Sequence, residues 1–329
     1  MMFFIPFAIV VFIIIYVDIF KAFREYDDYY KNNFVTLNRE LVCTNVFNKN
    51  REKEKFDSFV FGNSRSRVFR VQEWKIYLDK DVVPFHFDAS GDGVYGVANK
   101  VKYIDEVGDT IKNALIILDR EFLVTTHNRE GHLFISPPCL SKESKLRYYL
   151  EFMKASIDFK FLYAYIDFSI FKTHKEYMGR LINTTKYSHA SDNVNCDWKY
   201  GYEQQIKEDS IGFYGPLMKQ GVFYDRKNHK KNTCRISELE IKQLKEIKAV
   251  FTRHHTNYKL IIAPIYDQIE MDKEQLDLLN EVFGAATIYN YSGVNKFTIP
   301  IGNYYETSHF RPRVASEILK EVYEGNRME

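Results

Sequence analysis

The sequence lacks a long hydrophobic run after its first twenty residues, an excess of charge of either sign, and any pair of cysteines at C-x-x-C spacing. Its 46 Lys and Arg residues nearly balance 44 Asp and Glu residues. The formal net charge of +2 therefore argues against a dedicated nucleic-acid-binding protein, which usually carries a clear basic excess. A composition that is 45% hydrophobic over 329 residues argues against wholesale disorder and is enough for one large core.

The four cysteines have no spacing typical of a zinc ribbon or a dithiol redox motif. They are Cys43, Cys139, Cys196 and Cys234, and they allow three pairings. In an oxidising compartment we expect the pair Cys196–Cys234, because both residues lie in one polar stretch. Four free thiols are the alternative.

No cofactor and no metal are expected. His127 and His132 lie on either side of Glu130, but no further ligand follows at useful spacing. There is no G-x-x-x-x-G-K-[ST] phosphate loop. Residues 91–96 read Gly-Asp-Gly-Val-Tyr-Gly, a formal G-x-G-x-x-G after a predicted strand, with Asp119 near the expected acidic position. Nucleotide binding is therefore an alternative, although that strand is the second of its domain rather than the first.

Residues 1–20 are predicted to form a transmembrane anchor. Met1 to Val17 contains no charged residue, and after Asp18 two apolar residues extend the run to the length of about 20 residues that spans a bilayer core. No small-residue cleavage site follows, which favours an uncleaved anchor over a signal peptide. A buried core helix is the alternative. Lys21 and Arg24 after the segment weakly favour a cytoplasmic body.

The rest of the chain alternates predicted strands and helices, the pattern of an α/β protein with a parallel sheet and helices on both faces. Residues 21–55 are expected to form a linker or helix, and residues 56–325 one α/β domain. Strands are predicted over 56–61, 82–90, 114–118, 258–264 and 286–291. The clearest helices are predicted over 65–78, 94–107, 142–157, 237–255, 272–283 and 313–324. The stretch 120–235 is predicted to be an insertion or cap over the sheet.

Two short segments carry the residue types of a serine nucleophile and its base. Gly62-Asn63-Ser64-Arg65-Ser66 lies where the first predicted strand meets a helix, a place where free backbone N–H groups can stabilise an oxyanion. Glu306-Thr307-Ser308-His309 precedes the last helix. A serine hydroxyl needs a histidine to accept its proton, and that histidine needs a carboxylate to fix its tautomer. A spacing of three residues lets Glu306 and His309 meet.

These two segments, at the ends of a β/α alternation, resemble the SGNH (GDSL-like) hydrolase superfamily. The similarity is greatest to its membrane-anchored members that work beside membrane-bound O-acyltransferases in polysaccharide and cell-wall acylation. It covers roughly residues 56–119 and 237–325. It implies a flavodoxin-like three-layer fold, a glycan acceptor, a membrane-bound O-acyltransferase partner and an extracytoplasmic body, periplasmic or on the cell surface.

Carried over by position, the resemblance makes Ser64 the nucleophile, His309 the general base and Glu306 the carboxylate that orients it. The Ser64 N–H would be one oxyanion donor, and the N–H of Gly91 or Gly93 a second.

The chain departs from the family pattern at two places. The family usually has Asp where Glu306 stands, and Asn in the third block, where this chain has Asp119-Arg120-Glu121. The oxyanion hole is therefore incomplete or uses Arg120. Further candidates for substrate or oxyanion contacts are Asn63, Arg65 and Asp119, and Arg311 is a candidate for binding an anionic group.

Three functions follow from these residues. The first is a serine O-acyltransferase that passes an acyl group, expected to be acetyl, to an envelope or extracellular polysaccharide. The second is a glycan O-acyl esterase with the same site. The third is a catalytically inactive scaffold that binds glycan or a membrane partner. Ser64 could also simply cap a helix.

Overall fold

The computed structural model describes residues 4–183, 190–226 and 236–325. The strands in these ranges are β1 (Ser58–Gly62), β2 (Pro84–Asp88), β3 (Asn113–Leu118), β4 (Ala190–Ser191), β5 (Trp198–Lys199), β6 (Asn257–Ile262), β7 (Ile288–Asn290), β8 (Tyr304–Glu306) and β9 (His309–Phe310). Five of them form one parallel sheet in the order β2-β1-β3-β6-β7. Numbered within that sheet alone, the order is 2-1-3-4-5, as in flavodoxin-like folds. β4–β5 and β8–β9 are short antiparallel ribbons.

The helices flank the sheet and fill the connection after β3. They are α1 (Phe4–Val17), α2 (Arg39–Glu54), α3 (Val71–Lys75), α4 (Val94–Glu106), α5 (Arg120–Val124), α6 (Pro138–Ser141), α7 (Lys145–Ser156), α8 (Phe159–Phe171), α9 (Tyr202–Glu208), α10 (Ser210–Lys219), α11 (Glu238–Arg253), α12 (Lys273–Phe283) and α13 (Pro312–Glu324). Short 3₁₀ turns lie at Ser64–Val68, Glu176–Met178, Ala285–Thr287 and Ile301–Asn303.

Alternation along the strands builds a core on each face of the sheet. Phe59 and Phe61 of β1 point to one face, where they join buried residues of α2, α4, α11 and α12. Val60 points to the other face, where it joins buried residues of α3 and α13. The result is the three-layer α/β arrangement predicted from the sequence, with the carboxyl ends of β1, β2 and β3 meeting at one edge.

The predicted strands of the sheet and the helices after residue 90 are confirmed within a few residues. The helix predicted over 65–78 is wrong in detail, because it is divided into the 3₁₀ turn Ser64–Val68 and the short helix α3. The Ser66 N–H and hydroxyl both donate to the Asn63 carbonyl, at 2.9 and 2.8 Å. These bonds hold the tighter 3₁₀ geometry at the start of the segment.

The N-terminal helix is shorter than the predicted anchor over residues 1–20. Helix α1 has 14 residues and ends at Val17, because Asp18 takes a left-handed conformation with φ of 45°. The buried Asp18 carboxylate accepts hydrogen bonds from the Ala22 N–H at 2.7 Å and the Tyr26 hydroxyl at 2.9 Å, which fixes this turn. Phe20 then packs in the core rather than continuing the helix. In residues 4–325 as described, no helix has both the length and the apolar character needed to cross a membrane.

The segments outside the predicted α/β core contribute to it. In the stretch 21–55, helix α2 buries Cys43 and Phe47 in the larger core cluster. The described part of the stretch 120–235 forms helices α5 to α10 and the β4–β5 ribbon between β3 and α11. Cys43, Cys139 and Cys196 carry free thiols, and the expected Cys196–Cys234 pair involves a residue outside the described ranges.

Candidate active site

The turn after β1 presents Ser64 at the carboxyl edge of the sheet. Gly62 has a φ of +144°, and a Cβ on it would lie 2.5 Å from the Ile117 carbonyl oxygen of β3. Only glycine therefore fits where the chain leaves β1. The Asn63 side chain caps the following 3₁₀ turn by accepting a hydrogen bond from the Arg65 N–H at 3.0 Å. Ser64 itself is half-buried at the first position of that turn.

Ser64, His309 and Glu306 form a continuous hydrogen-bonded chain. The distance between Ser64 Oγ and His309 Nε2 is 2.7 Å, and His309 Nδ1 contacts Glu306 Oε1. The other carboxylate oxygen of Glu306 accepts a hydrogen bond from the Ser308 N–H at 2.7 Å. The antiparallel ribbon β8–β9 holds Glu306 opposite His309, so the glutamate reaches the imidazole in spite of its extra methylene. The arrangement is that of a nucleophile, a base and an orienting acid.

The environment of Glu306 favours its ionised form. Burial raises the pKa of this carboxyl, but the hydrogen bond and charge of His309, the Ser308 N–H and the charge of Arg65 together lower the pKa below its ordinary value. An ionised Glu306 accepts the Nδ1–H of His309, which leaves Nε2 free to accept the Ser64 proton.

Asn63, Arg65 and Asp119 bind one another in the structure. Arg65 Nη1 donates to Asp119 Oδ2 at 2.5 Å, and Asn63 Nδ2 donates to the same oxygen at 2.6 Å. Asp119 is almost fully buried, and its other oxygen caps helix α5. The prediction that Asp119 contacts substrate directly is therefore wrong, because its carboxylate is buried and bound to Asn63, Arg65 and α5. Asn63 lines the cleft beside Ser64 and stays a candidate contact, although its Nδ2 is bound to Asp119. Arg65 lies at the edge of the cleft beside Ser64.

Arg120 and Arg311 form ion pairs with other side chains and do not contact Ser64. Arg120 Nη2 pairs with Asp267, and Arg120 does not line either of the two clefts that meet at His309. The expectation that Arg120 replaces the missing oxyanion donor is therefore wrong. Arg311 forms two bonds of 2.8 Å with the carboxylate of Glu203 on α9, so it fastens the insertion to the His309 loop.

The two glycines after β2 differ in their surroundings. Gly91, with φ of +62°, lines the cleft beside Ser64, and its carbonyl oxygen accepts a hydrogen bond from Arg129 at 3.0 Å. Gly93 packs against α5, where a Cβ would lie 2.6 Å from the Phe122 carbonyl oxygen. Its N–H donates to Asp92 Oδ1 at 3.0 Å. Gly91 stays a candidate oxyanion donor. The prediction of Gly93 as a donor is wrong, because its N–H is already bound to Asp92.

The same contacts weigh against nucleotide binding at residues 91–96. The Asp92 carboxylate accepts a hydrogen bond from the N–H of Gly93, the residue before helix α4, where a bound phosphate group would lie. A Cβ on Gly96 would lie 1.9 Å from Asp92 Oδ1, so this glycine makes room for the carboxylate. In the described residues, no group of three or more His, Cys, Asp or Glu side chains could hold a metal ion.

Two clefts meet at His309. The first has a volume of about 590 Å³ and contains Ser64, Arg65 and Gly91. The second has a volume of about 1120 Å³ and is built largely by the insertion. Sequence reasoning missed the walls of both clefts. In the first, these are His127, Asn128 and Arg129. In the second, they include a group of aromatic side chains from residues 198–213.

No protein-family model matches this chain, and no curated protein sequence matches it.

Proposed function

We propose that this protein is an SGNH-like serine O-acyltransferase that carries an acyl group, in the simplest case acetyl, as an ester on Ser64. The acyl group then passes to a hydroxyl group of a polysaccharide. The single observation that carries the proposal is the chain Ser64–His309–Glu306, with 2.7 Å between Ser64 Oγ and His309 Nε2.

The first half of the reaction acylates the serine. Ser64 Oγ attacks the carbonyl carbon of the acyl donor while its proton moves to His309 Nε2. Negative charge develops on the carbonyl oxygen, where the N–H groups of Ser64 and Gly91 are the candidate donors. The tetrahedral intermediate collapses to the acyl-enzyme, and the leaving group departs with the proton from His309.

The second half reverses these roles. The acceptor hydroxyl gives its proton to His309 Nε2 as its oxygen attacks the ester carbonyl on Ser64. Collapse breaks the bond to Ser64 Oγ, which takes the proton back. Glu306 keeps the imidazole in the same tautomer throughout and stabilises its charged form.

The two clefts support transfer over simple hydrolysis. Ser308 and His309 belong to the walls of both clefts, so a donor in the first and an acceptor in the second would reach the same imidazole. The esterase alternative needs only water in place of the acceptor. The inactive scaffold is the less favoured alternative, because the hydrogen bonds that link Ser64 to His309 and His309 to Glu306 are present. A membrane-bound O-acyltransferase as acyl donor and an extracytoplasmic location rest on the resemblance and stay predictions.

The test is to incubate the full chain with p-nitrophenyl acetate and follow both nitrophenol release and protein mass. We expect a burst, an acetyl adduct on Ser64, and faster release of that adduct when a hydroxyl-rich oligosaccharide is added, with acetyl recovered on the sugar. Ser64→Ala forms no adduct. Adduct loss at a rate independent of the sugar, with acetate as the product, would indicate an esterase. A folded wild-type chain without burst or adduct would indicate the inactive scaffold.

A further inference from the structure

The second cleft, which we name the aromatic groove, has a wall of stacked rings. Its aromatic residues are Trp198, Tyr200, Tyr202, Phe213 and Tyr305. Tyr200 and Tyr202 lie nearly parallel, with 16° between their planes and 6.3 Å between their centroids. Tyr305 lies within 5.1 to 5.2 Å of both rings. Trp198, Phe213 and Tyr305 are buried behind this wall, and the partly exposed rings of Tyr200 and Tyr202 offer apolar faces that suit the C–H faces of sugar rings.

The floor of the aromatic groove carries a positive charge in excess. Arg39 and Arg67 share the single carboxylate of Asp88, at 2.8 and 2.7 Å. Both guanidinium groups also lie over the Trp198 ring, at 5.0 and 5.1 Å from its centroid. Of these two arginines, Arg67 reaches the groove lining. The Asp197 carboxylate next to Trp198 faces His86 and the Val71 N–H instead.

The rim of the aromatic groove also carries an excess of positive charge. Arg180 and His174 line it and are exposed to solvent. Among the described residues that line the groove, the one acidic side chain is Glu306, which is bound to His309. The first cleft differs, because Asp92 and Glu121 belong to its walls. The groove therefore combines aromatic faces with cationic groups, and its single carboxylate is already in use.

We infer that the aromatic groove binds an anionic polysaccharide. Sugar rings lie on the aromatic wall, and their carboxylate or phosphate groups contact Arg67 and Arg180, since guanidinium groups match both anions in shape and charge. A chain bound in this way passes His309 with its hydroxyl groups exposed. The inference rests on the proposed function for the delivery of a hydroxyl group to the acyl-enzyme, but binding itself needs no catalysis.

The test measures binding to full-length Ser64→Ala by calorimetry, which separates recognition from chemistry. The probes are a galacturonic acid hexamer, an uncharged maltohexaose and a short poly(glycerol phosphate). We expect the galacturonate to bind, the maltohexaose to bind at least tenfold more weakly, and the galacturonate affinity to fall as salt is raised. Adding Arg180→Gln weakens galacturonate binding roughly tenfold, the effect of losing one charge-assisted hydrogen bond. The matched control is Arg129→Gln, an exposed arginine of the first cleft, which leaves binding unchanged.

Equal or tighter binding of maltohexaose overturns the inference, as does binding of neither sugar nor phosphate polymer to a folded protein. Equal losses in the Arg180 and Arg129 variants also overturn it, because they place the ligand outside the groove. Tighter binding of the phosphate polymer than of the galacturonate overturns the inference as well, because that polymer has no sugar ring to lie on the aromatic wall. If binding is as expected but the wild type forms no acyl adduct, the proposed function fails and the groove assignment stands.

Discussion

Arg65 Nε donates a hydrogen bond to the Ser308 carbonyl oxygen at 2.9 Å, although 243 residues separate the two in the chain. The same guanidinium group binds Asp119 after β3 at 2.5 Å. One side chain thus connects the turn that carries Ser64, the end of β3 and the loop that carries His309. We regard Arg65 as a positioning residue that holds the distance between Ser64 and His309.

Replacing Arg65 by Gln is expected to lower the rate of Ser64 acylation roughly 10- to 100-fold, because a shift of about 1 Å between nucleophile and base has an effect of that order. The substrate KM changes little, since the loss affects positioning rather than binding. Steady-state kinetics with p-nitrophenyl acetate measure both quantities. Arg65→Lys is expected to recover only part of the rate, because an ammonium group lacks the forked N–H donors with which the guanidinium group binds Asp119 and the Ser308 carbonyl together. A change in KM alone would contradict the positioning role.

Replacing Glu306 by Gln is expected to lower the acylation rate roughly 10²- to 10⁴-fold while Ser64 and His309 stay in place. The neutral amide can present its N–H₂ to Nδ1, which favours the wrong tautomer of the imidazole. Steady-state kinetics with p-nitrophenyl acetate measure this loss.

The Glu306→Gln variant should also change the pH dependence of unfolding. Because the pKa of Glu306 is lowered in the folded state, its ionised form contributes stability above the ordinary glutamate pKa, and this is lost as pH falls through the folded value. Denaturant unfolding at several pH values should show a smaller acid loss in Glu306→Gln than in the wild type.

The backbone at Gly62 is expected to tolerate no side chain. Gly62→Ala combines strain at φ of +144°, about 1–3 kcal/mol, with overpacking against the Ile117 carbonyl, about 1–3 kcal/mol more. Gly108→Ala is the control, because Gly108 has φ of +80° but open space around its Cβ position. Denaturant unfolding should show a loss of about 1–2 kcal/mol for the control and a larger one for Gly62→Ala. Equal losses in the two variants would contradict the close approach of β1 and β3.

A buried group of charges next to the first cleft is expected to make the protein less stable as pH rises. Burial raises the pKa of Asp92 to about 7; Lys100 at 2.5 Å opposes this rise, and the carboxylate of Glu40 adds to it. The folded state therefore keeps a proton between about pH 4 and pH 7 that a free aspartate has lost. By linkage, this group lowers the free energy of unfolding as pH rises through that window.

The variant Asp92→Asn removes this titration. We expect the wild type to lose stability relative to the variant between about pH 4 and pH 7, measured by urea unfolding at fixed ionic strength. A difference that stays constant or grows in favour of the wild type as pH rises would show that Asp92 is ionised throughout.

The local parts of the site could be predicted from the sequence. Gly62 and Ser64 follow an apolar strand, and Glu306 and His309 are three residues apart, so short patterns locate both segments. The structure brings these segments together, with 2.7 Å between Ser64 Oγ and His309 Nε2. The apolar run at residues 114–118 likewise predicts the central strand β3, which is buried along its whole length.

The contacts between distant segments could not be predicted in this way. No pattern in the sequence indicates that Arg65 binds Asp119 and Ser308. Gly91 and Gly93 likewise lie in the same short motif, and only the structure shows that the Gly93 N–H is bound to Asp92. The aromatic groove could not be predicted either, because its rings come from a loop and from strands and helices that are too short to show periodicity. At the N terminus, Asp18 ends helix α1 by accepting hydrogen bonds from Ala22 and Tyr26, and a count of apolar residues does not take such bonds into account.

The most direct measurement of the central claim is intact-mass labelling of the full chain with a fluorophosphonate serine probe, beside Ser64→Ala and His309→Ala. We expect a single adduct on the wild type that is lost in Ser64→Ala and reduced to background in His309→Ala, because the probe reacts with a serine that a histidine deprotonates. An adduct that persists in Ser64→Ala, or a folded wild type that takes up no probe, would contradict it.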